Sequence, residues 1–292
     1  MVSKSDDTRT ALVFLLPSLV GMILFIFIPL VWSFFMGFTD WNLFQPPKWV
    51  GLNNFVNLFS SDPVFGTTVR NTLVFTVELV ILNLVFSLAI AVWISAQTWG
   101  KAALRVIFFI PVFTPAIAVS IVWMLMLTPG GLFDSFISTL GLNVPNLLLD
   151  TDLAMHAVII VSLWAGIGYN VVLFNAALEL VPESYLEAAR IDGAGAWRRF
   201  WDIRLPMISP TIFFAVTMTS INALQVFDQI YILTRGGPGA STMTLGYSIF
   251  LNGFQNYNMG YASAIAWVMF FFILALTVLQ FKMQKKWVHY DG

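Results

Sequence analysis

The chain contains no cysteine, which removes disulfides, thiolate metal sites, iron–sulfur clusters and cysteine nucleophiles. Its two histidines, His156 and His289, are too few and too far apart for a histidine metal cage. Charge is scarce as well: 10% of the 292 residues are Asp, Glu, Lys or Arg, where soluble domains carry about 25%. A net charge of −1 leaves no global basic field to hold nucleic acid. No phosphate-binding Gly-x4-Gly-Lys-Ser/Thr loop is present, since Gly100-Lys101 is followed by Ala102 and has no upstream glycine at the required spacing. No serine–histidine–aspartate set or metal-ligand cluster is visible, which argues against a membrane-embedded enzyme. What fills the space instead is apolar: 59% of the residues are hydrophobic, more than the surface of a soluble fold can cover.

These apolar residues fall in six stretches, about 11–37, 71–97, 105–128, 155–178, 208–231 and 261–283, each near the roughly 20 residues that a helix needs to cross a bilayer. They are apolar nearly all round, as lipid-facing helices are. Irregular backbone cannot face lipid, so the expected fold is all-α, an integral membrane bundle of six transmembrane helices. Pro17 and Pro29 predict kinks in the first span. That span exceeds the apolar core of a signal peptide and no small-residue cleavage site follows it, so it reads as a retained anchor.

Lys and Arg set the orientation. Lys4, Arg9, Lys101, Arg105, Arg190, Arg198, Arg199, Arg204, Lys282, Lys285 and Lys286 share one side, while Lys48, Arg70 and Arg235 lie on the other. This asymmetry predicts that both termini are cytoplasmic. The whole chain, 1–292, then reads as a single transmembrane domain. Its cytoplasmic loops would lie at about 98–104 and 179–207, and its external loops at about 38–70, 129–154 and 231–260.

The second cytoplasmic loop carries the densest local signal. Pro182 suits the start of a helix, and Glu183 and Glu187 lie toward the positive end of its dipole. Gly193 can close the helix in a left-handed conformation. A short helix is therefore expected over about 182–191, with a turn at Asp192-Gly193-Ala194. A second helical piece through Trp197, Phe200 and Trp201 should stop near Leu205, ahead of Pro206. Ala188 and Ala189 leave a flat surface for close approach of another protein. Glu187 is available either to Arg190 at i+3 or to such a partner.

The order Glu187-Ala188-Ala189, Asp192-Gly193-Ala194, Ile203, Leu205, Pro206 resembles the EAA loop of ABC importer permeases. Other segments are similar to the carbohydrate branch of that superfamily, the maltose and glycerol-phosphate type permeases. Val50-Gly51-Leu52, Asn54-Phe55 and Asn71-Thr72 match its first external loop. Gly236-Gly237-Pro238, Ser241-Thr242 and Gly260-Tyr261-Ala262-Ser263-Ala264 match the region before its last span. The resemblance covers nearly the whole chain. It implies the type I ABC importer permease architecture in a bacterial or archaeal plasma (inner) membrane. It also implies a second homologous permease subunit, two copies of an ABC ATPase subunit beneath, and an extracytoplasmic solute-binding protein above. ATP and Mg would be bound by the partner ATPase, with no cofactor in this chain. Glu187, Ala188, Ala189, Asp192 and Gly193 would form the ATPase-coupling contact.

Polar residues within spans usually face the bundle interior or a cavity. The fourth span carries Ser162, Trp164, Gly166, Tyr169, Asn170 and Asn175; the fifth carries Thr217, Thr219, Ser220, Asn222, Gln225, Asp228 and Gln229. Trp164 and Tyr169 offer stacking faces for a sugar, and Asn222 and Gln225 offer hydrogen bonds to its hydroxyls. Transporter sites lie near the midplane, which favours Tyr169, Thr219 and Asn222. The resemblance puts sugar contacts on the same two spans. Ser162, Gly166 and Tyr169 fall at matching distances before Glu187, and Asn222 and Gln225 fall near matching positions. The other reading of these polar residues is interhelical hydrogen bonding.

Glu78 is an acid inside the second span, about 12 Å along the helix from Arg70 and so without an easy partner. His156, at the outer end of a span, reads as interfacial. Met243, Tyr247, Phe250 and Phe254 share one helical face, read as an interfacial or re-entrant helix at the rim that receives the binding protein. No Lys or Arg lies deep in a span, which favours a neutral sugar over a glycerol-phosphate-like solute. The alternative of another class is an ion-coupled secondary transporter acting alone, with Glu78 and Asp228 as carriers. It predicts an internal repeat, which the sequence does not show, and it leaves the loop at 182–206 unexplained.

Overall fold

A computed structural model of the chain describes residues 4–141 and 146–288, with side chains from residue 13 onward. His289 and part of the expected external loop at 129–154 lie outside the described residues, as do the side chains of Lys4 and Arg9. The described chain is mostly helical. It runs α1 (Lys4–Met22), a π-helical turn (Ile23–Phe27), α2 (Ile28–Met36), α3 (Asn53–Ser60), α4 (Phe65–Ser95), α5 (Lys101–Phe113), α6 (Ala116–Leu127) and α7 (Leu132–Thr139). It continues through α8 (Ala154–Glu179), α9 (Glu183–Ile191), α10 (Ala196–Arg199), α11 (Leu205–Met207), α12 (Ser209–Leu224), α13 (Asp228–Leu233), α14 (Leu245–Phe250) and α15 (Met259–Gln284). Among the described residues the only β structure is a two-residue antiparallel ribbon pairing Thr39 with Trp49 and Asp40 with Lys48.

Among the described residues, five helical stretches are long and apolar enough to cross a membrane, and six if the bent pair 196–207 with 209–224 counts as one. The first, Val13–Met36, runs unbroken past Pro17 and Pro29, with the π-helical turn lying between the two prolines. Two expected spans are divided. The stretch 105–128 breaks between α5 and α6, where Thr114 is extended (φ −81°, ψ 131°) because it precedes Pro115. The stretch 208–231 ends its main helix at Leu224 and resumes as the short α13. The gap between them is held from outside: the Val226 carbonyl accepts a hydrogen bond from Thr244 Oγ1 at 3.3 Å. It also lies 2.6 Å from where a side chain on Gly246 would begin.

The chain divides into two compact units. The first comprises residues 1–62 and 249–268. Here Asn54 Nδ2 donates to the carbonyls of Gly37 and Thr39, both at 2.9 Å. Tyr261 donates its hydroxyl to Asp62 at 2.6 Å. Trp267 packs edge-on against Phe34 and donates its indole N–H to Ser33 Oγ. The motif residues Asn54 and Tyr261 are thus structural ties within this unit.

The second unit comprises residues 63–248 and 269–292. Its centre is α8 packed between α4, α5 and α12. Gly168 makes the α5 crossing possible: a Cβ there would sit 2.0 Å from the Phe108 carbonyl oxygen, so only glycine allows the backbones to meet. One apolar cluster joins Ala91 of α4, Phe174 and Leu178 of α8, Leu186 of α9, and Ile208, Ile212 and Ala215 at and within α12. Asn71 donates to the carbonyls of Ala240 and Met243, and Thr72 Oγ1 accepts from the Leu245 amide. These two motif residues therefore anchor the segment that leads into α14.

Candidate functional site

A cavity of about 540 Å³ opens within the second unit. Its wall is built from α4 (Phe75, Leu79, Asn83), α5 (Val112), α8 (Ser162, Gly166, Tyr169, Asn170), α12 (Met218, Thr219, Asn222, Ala223) and the segment Gln225–Gln229. All six residues singled out for solute contact, Ser162, Gly166, Tyr169, Thr219, Asn222 and Gln225, line this one space. The residues of α8 come together because 162, 166 and 169 are four and three apart, one face of a helix. Gly166 has no neighbour within 4 Å of a would-be Cβ, so it leaves open volume. Tyr169 is half-exposed into that volume. Among the described residues of the wall, Asp228 is the one carboxylate and none is Lys or Arg.

Other polar residues of these helices are spent on packing. Asn175 is fully buried and donates to the Ala91 carbonyl at 3.2 Å. Ser220 accepts from Gln280 at 3.1 Å. Trp164, expected as a stacking face, is not part of the wall; it packs edge-on against Trp123 with ring centres 5.7 Å apart. The base of the cavity holds a three-helix polar junction. Asn170 Nδ2 donates to Asn83 Oδ1 at 2.6 Å and to Thr219 Oγ1 at 3.0 Å. Asn83 escaped the sequence reading, although an amide in the apolar run Ile81-Leu82-Asn83-Leu84 is the same kind of signal that marked Asn170.

The short helix α9 forms as the sequence indicates, with Pro182 capping it and Glu183 as its first residue. Gly193 takes φ +79°, its amide bonds the Arg190 carbonyl, and the Ala194 amide bonds that of Ala189. That is a Schellman ending, which needs a left-handed residue and so favours glycine. Glu187, Ala188, Asp192 and Gly193 are exposed and Ala189 is partly so. Arg190 pairs with Glu183 at 3.4 Å, not with Glu187, whose carboxylate has no ion pair or hydrogen bond among the described residues. Leu186 is the one buried residue of α9, 3% exposed, and fixes the helix to the apolar cluster beneath α8.

Three further expectations need correction. The piece after the turn does not stop at Leu205. It passes through a π-helical turn at Phe200–Arg204 and continues to Met207, with Pro206 early in α11. Proline disfavours helix at the residue before it, but Leu205 keeps helical dihedrals (φ −63°, ψ −46°) after the π-helical turn, so the chain stays helical past Pro206. Glu78 and His156 are not separate features either. His156 Nδ1 lies 2.9 and 3.0 Å from the two Glu78 carboxylate oxygens, tying α8 to α4. At the rim, α14 begins only at Leu245, so Met243 stands outside the helix and Tyr247 turns inward, 3% exposed. Burial raises the Tyr247 phenol pKa, partly opposed by Arg235, with a smaller raising effect from Tyr231.

Comparison with known proteins agrees with this architecture. Over 97% of the chain the fold superposes, with a TM-score of 0.85 and 23% sequence identity, on 98% of a chain from a bacterial ABC transporter involved in the import of the acidic polysaccharide alginate. The sequence is 35% identical, over 99% of this chain and 95% of the relative, to a probable ABC transporter permease protein, YesP, of Bacillus subtilis. It is 33% identical, over 94% of each chain, to the multiple sugar-binding transport system permease protein MsmF of Streptococcus mutans. The trehalose/maltose transport system permease protein MalF of Thermococcus litoralis is also 33% identical, over 96% of this chain and 95% of that relative. Residues 83–288 match the family described as binding-protein-dependent transport system inner membrane component, and the chain belongs to that family of multi-pass ABC transporter permeases.

Proposed function

We propose that the chain is the membrane-spanning permease subunit of an ATP-driven ABC importer that moves a neutral mono- or oligosaccharide into the cell by alternating access. The observation that carries this reading is the cavity wall. It combines an aromatic face at Tyr169 with uncharged hydrogen-bonding groups at Ser162, Thr219, Asn222 and Gln225, and has no basic residue. Aromatic faces with amides and hydroxyls suit a polyol's alternating C–H and O–H surface. An anionic solute would call for a cation, and the nearest charge, Asp228, has the wrong sign.

The remaining parts follow from that role. One permease domain, 1–292, works with a second homologous permease, two ABC ATPase subunits, and an extracytoplasmic solute-binding protein in a bacterial or archaeal plasma membrane. Both termini and the loop 179–207 face the cytoplasm, as the Lys and Arg asymmetry favours. The chain itself performs no ATP chemistry and holds no cofactor; ATP and Mg belong to the ATPase subunits. Glu187, Ala188, Ala189, Asp192 and Gly193 form the contact surface of α9. The bare carboxylate of Glu187 and the open surface at Ala188 support that assignment. Closure of the ATPase can shift the permease only through a difference in affinity for its two states, and α9 is the element that transmits it.

The test is reconstitution of the whole complex in liposomes with ATP on the ATPase side. Uptake of labelled maltose, trehalose, glucose and glycerol 3-phosphate is measured with and without the ATPase. ATP-dependent uptake of a neutral sugar, with glycerol 3-phosphate excluded, is the expected result. Uptake by this chain without the ATPase would overturn the reading in favour of an ion-coupled carrier.

A further inference from the structure

We infer that Asn83 and Asn170 are themselves solute-binding residues, an amide pair that reads a sugar hydroxyl at the base of the cavity. This inference rests on the carbohydrate reading above. Asn170 uses both hydrogens of its amide inside the protein, one on Asn83 Oδ1 and one on Thr219 Oγ1. That double donation sets the amide's orientation relative to Asn83, with the Thr219 hydroxyl, which can donate as well as accept, serving as an acceptor. It also leaves two groups with no protein partner among the described residues: the Asn83 Nδ2 donor and the Asn170 Oδ1 acceptor. Both residues are nearly buried, 4% and 5% exposed. A sealed, unpartnered amide atom there would cost its full desolvation. Neither atom is sealed off from open space, and both residues belong to the cavity wall.

The site therefore offers one donor and one acceptor on adjacent amides joined by a hydrogen bond. One hydroxyl, or two on neighbouring carbons, satisfies both at once, since a hydroxyl donates and accepts. Beneath the pair the protein is dry: the gap lined by Val80, Leu84, Phe174, Ala215, Val216 and Thr219 holds no water-sized space. Water cannot replace the solute from below. Asn83 also adds the helix α4 to a solute site that the sequence reading confined to α8 and α12.

The reconstituted complex tests this with Asn83→Asp, assayed at pH 8, and Asn83→Leu. Asn83→Asp keeps the acceptor that Asn170 needs and removes the free donor, so the α4–α8 tie survives. The readouts are KM and kcat for whichever of maltose, trehalose or glucose the wild type carries, and for singly deoxygenated analogues of that sugar. Loss of one hydrogen bond should raise KM about tenfold with kcat within about threefold. For one deoxy analogue, wild type and Asn83→Asp should show the same KM, because the hydroxyl that the donor reads is gone. A merely structural Asn83 would shift every analogue alike, and that result overturns the inference. Should Asn83→Leu fail to assemble, Asn83→Asp carries the test alone. Uptake of a sugar with KM unchanged in Asn83→Asp overturns this inference and leaves the carbohydrate reading intact. A wild type that takes up glycerol 3-phosphate and none of the three sugars overturns both.

Discussion

The cavity and the short helix α9 belong to the same unit and are built on opposite principles. The cavity takes its wall from four helices and the Gln225–Gln229 segment, and its buried amides at Asn83 and Asn170 bond each other across helices. Helix α9 is nine contiguous residues, with Leu186 alone buried. A wall made of many partners tolerates the loss of one contact and suffers chiefly in affinity. A helix with one anchor exposes almost everything it presents to a partner, and it depends on that anchor for its position. The comparison separates two kinds of damage, to position and to recognition.

The largest effect should come from Leu186→Ala. Removing a buried leucine from a packed cluster costs about 3 kcal/mol. The thermal midpoint of the purified protein should fall by several degrees and ATP-driven uptake should fall with it. An unchanged midpoint would show that α9 is held by something other than this anchor. Next in size is Glu187→Lys, which leaves the anchor in place. Reversing an unpaired charge at the contact surface should weaken ATPase binding by about 2 kcal/mol, roughly thirtyfold, with the thermal midpoint unchanged. Titration of the detergent-purified permease with the ATPase checks this; equal affinity would remove Glu187 from the contact.

In the cavity the expected effects are smaller. Tyr169→Ala should raise KM for the carried sugar about tenfold and leave ATPase affinity alone, since one stacking and hydrogen-bonding residue among many is lost. A fall in ATPase binding would contradict the separation of the two regions. Smallest of all is Glu183→Gln. The Glu183–Arg190 pair spans 3.4 Å between exposed side chains, and such pairs contribute below about 0.5 kcal/mol. Unfolding and uptake should both match wild type, which would confirm that Leu186, and not the surface pair, positions α9.

Legibility differed between the two regions for a physical reason. Everything that shapes α9 lies within a dozen residues: Pro182 at the cap, the exposed Ala188, and Gly193 in its left-handed turn. Local rules therefore reach it. On α8, the spacing of Ser162, Gly166 and Tyr169 was enough to put them on one face. The partners across helices were out of reach. Glu78 and His156 are 78 residues apart, and Asn83 and Asn170 are 87 apart, so no period or cap connects them. The proline before α12 misled in the same way. Pro206 is locally a helix stop, yet the preceding π-helical turn let the helix run on to Met207.

The sequence by itself determined that the chain is a helical membrane protein, where the short helix α9 begins and ends, and that Ser162, Gly166 and Tyr169 share one face of α8. Those features depend on composition, helical period and backbone preference, all of which act within a few residues. Only the tertiary structure decided that the span at 208–231 breaks after Leu224, and that Asn83 joins the cavity while Trp164 leaves it. These outcomes depend on which backbone can approach which. At Gly168 against Phe108 and Gly246 against Val226 the chain comes close enough to exclude a side chain. Such approaches are set by the packing of helices distant in sequence.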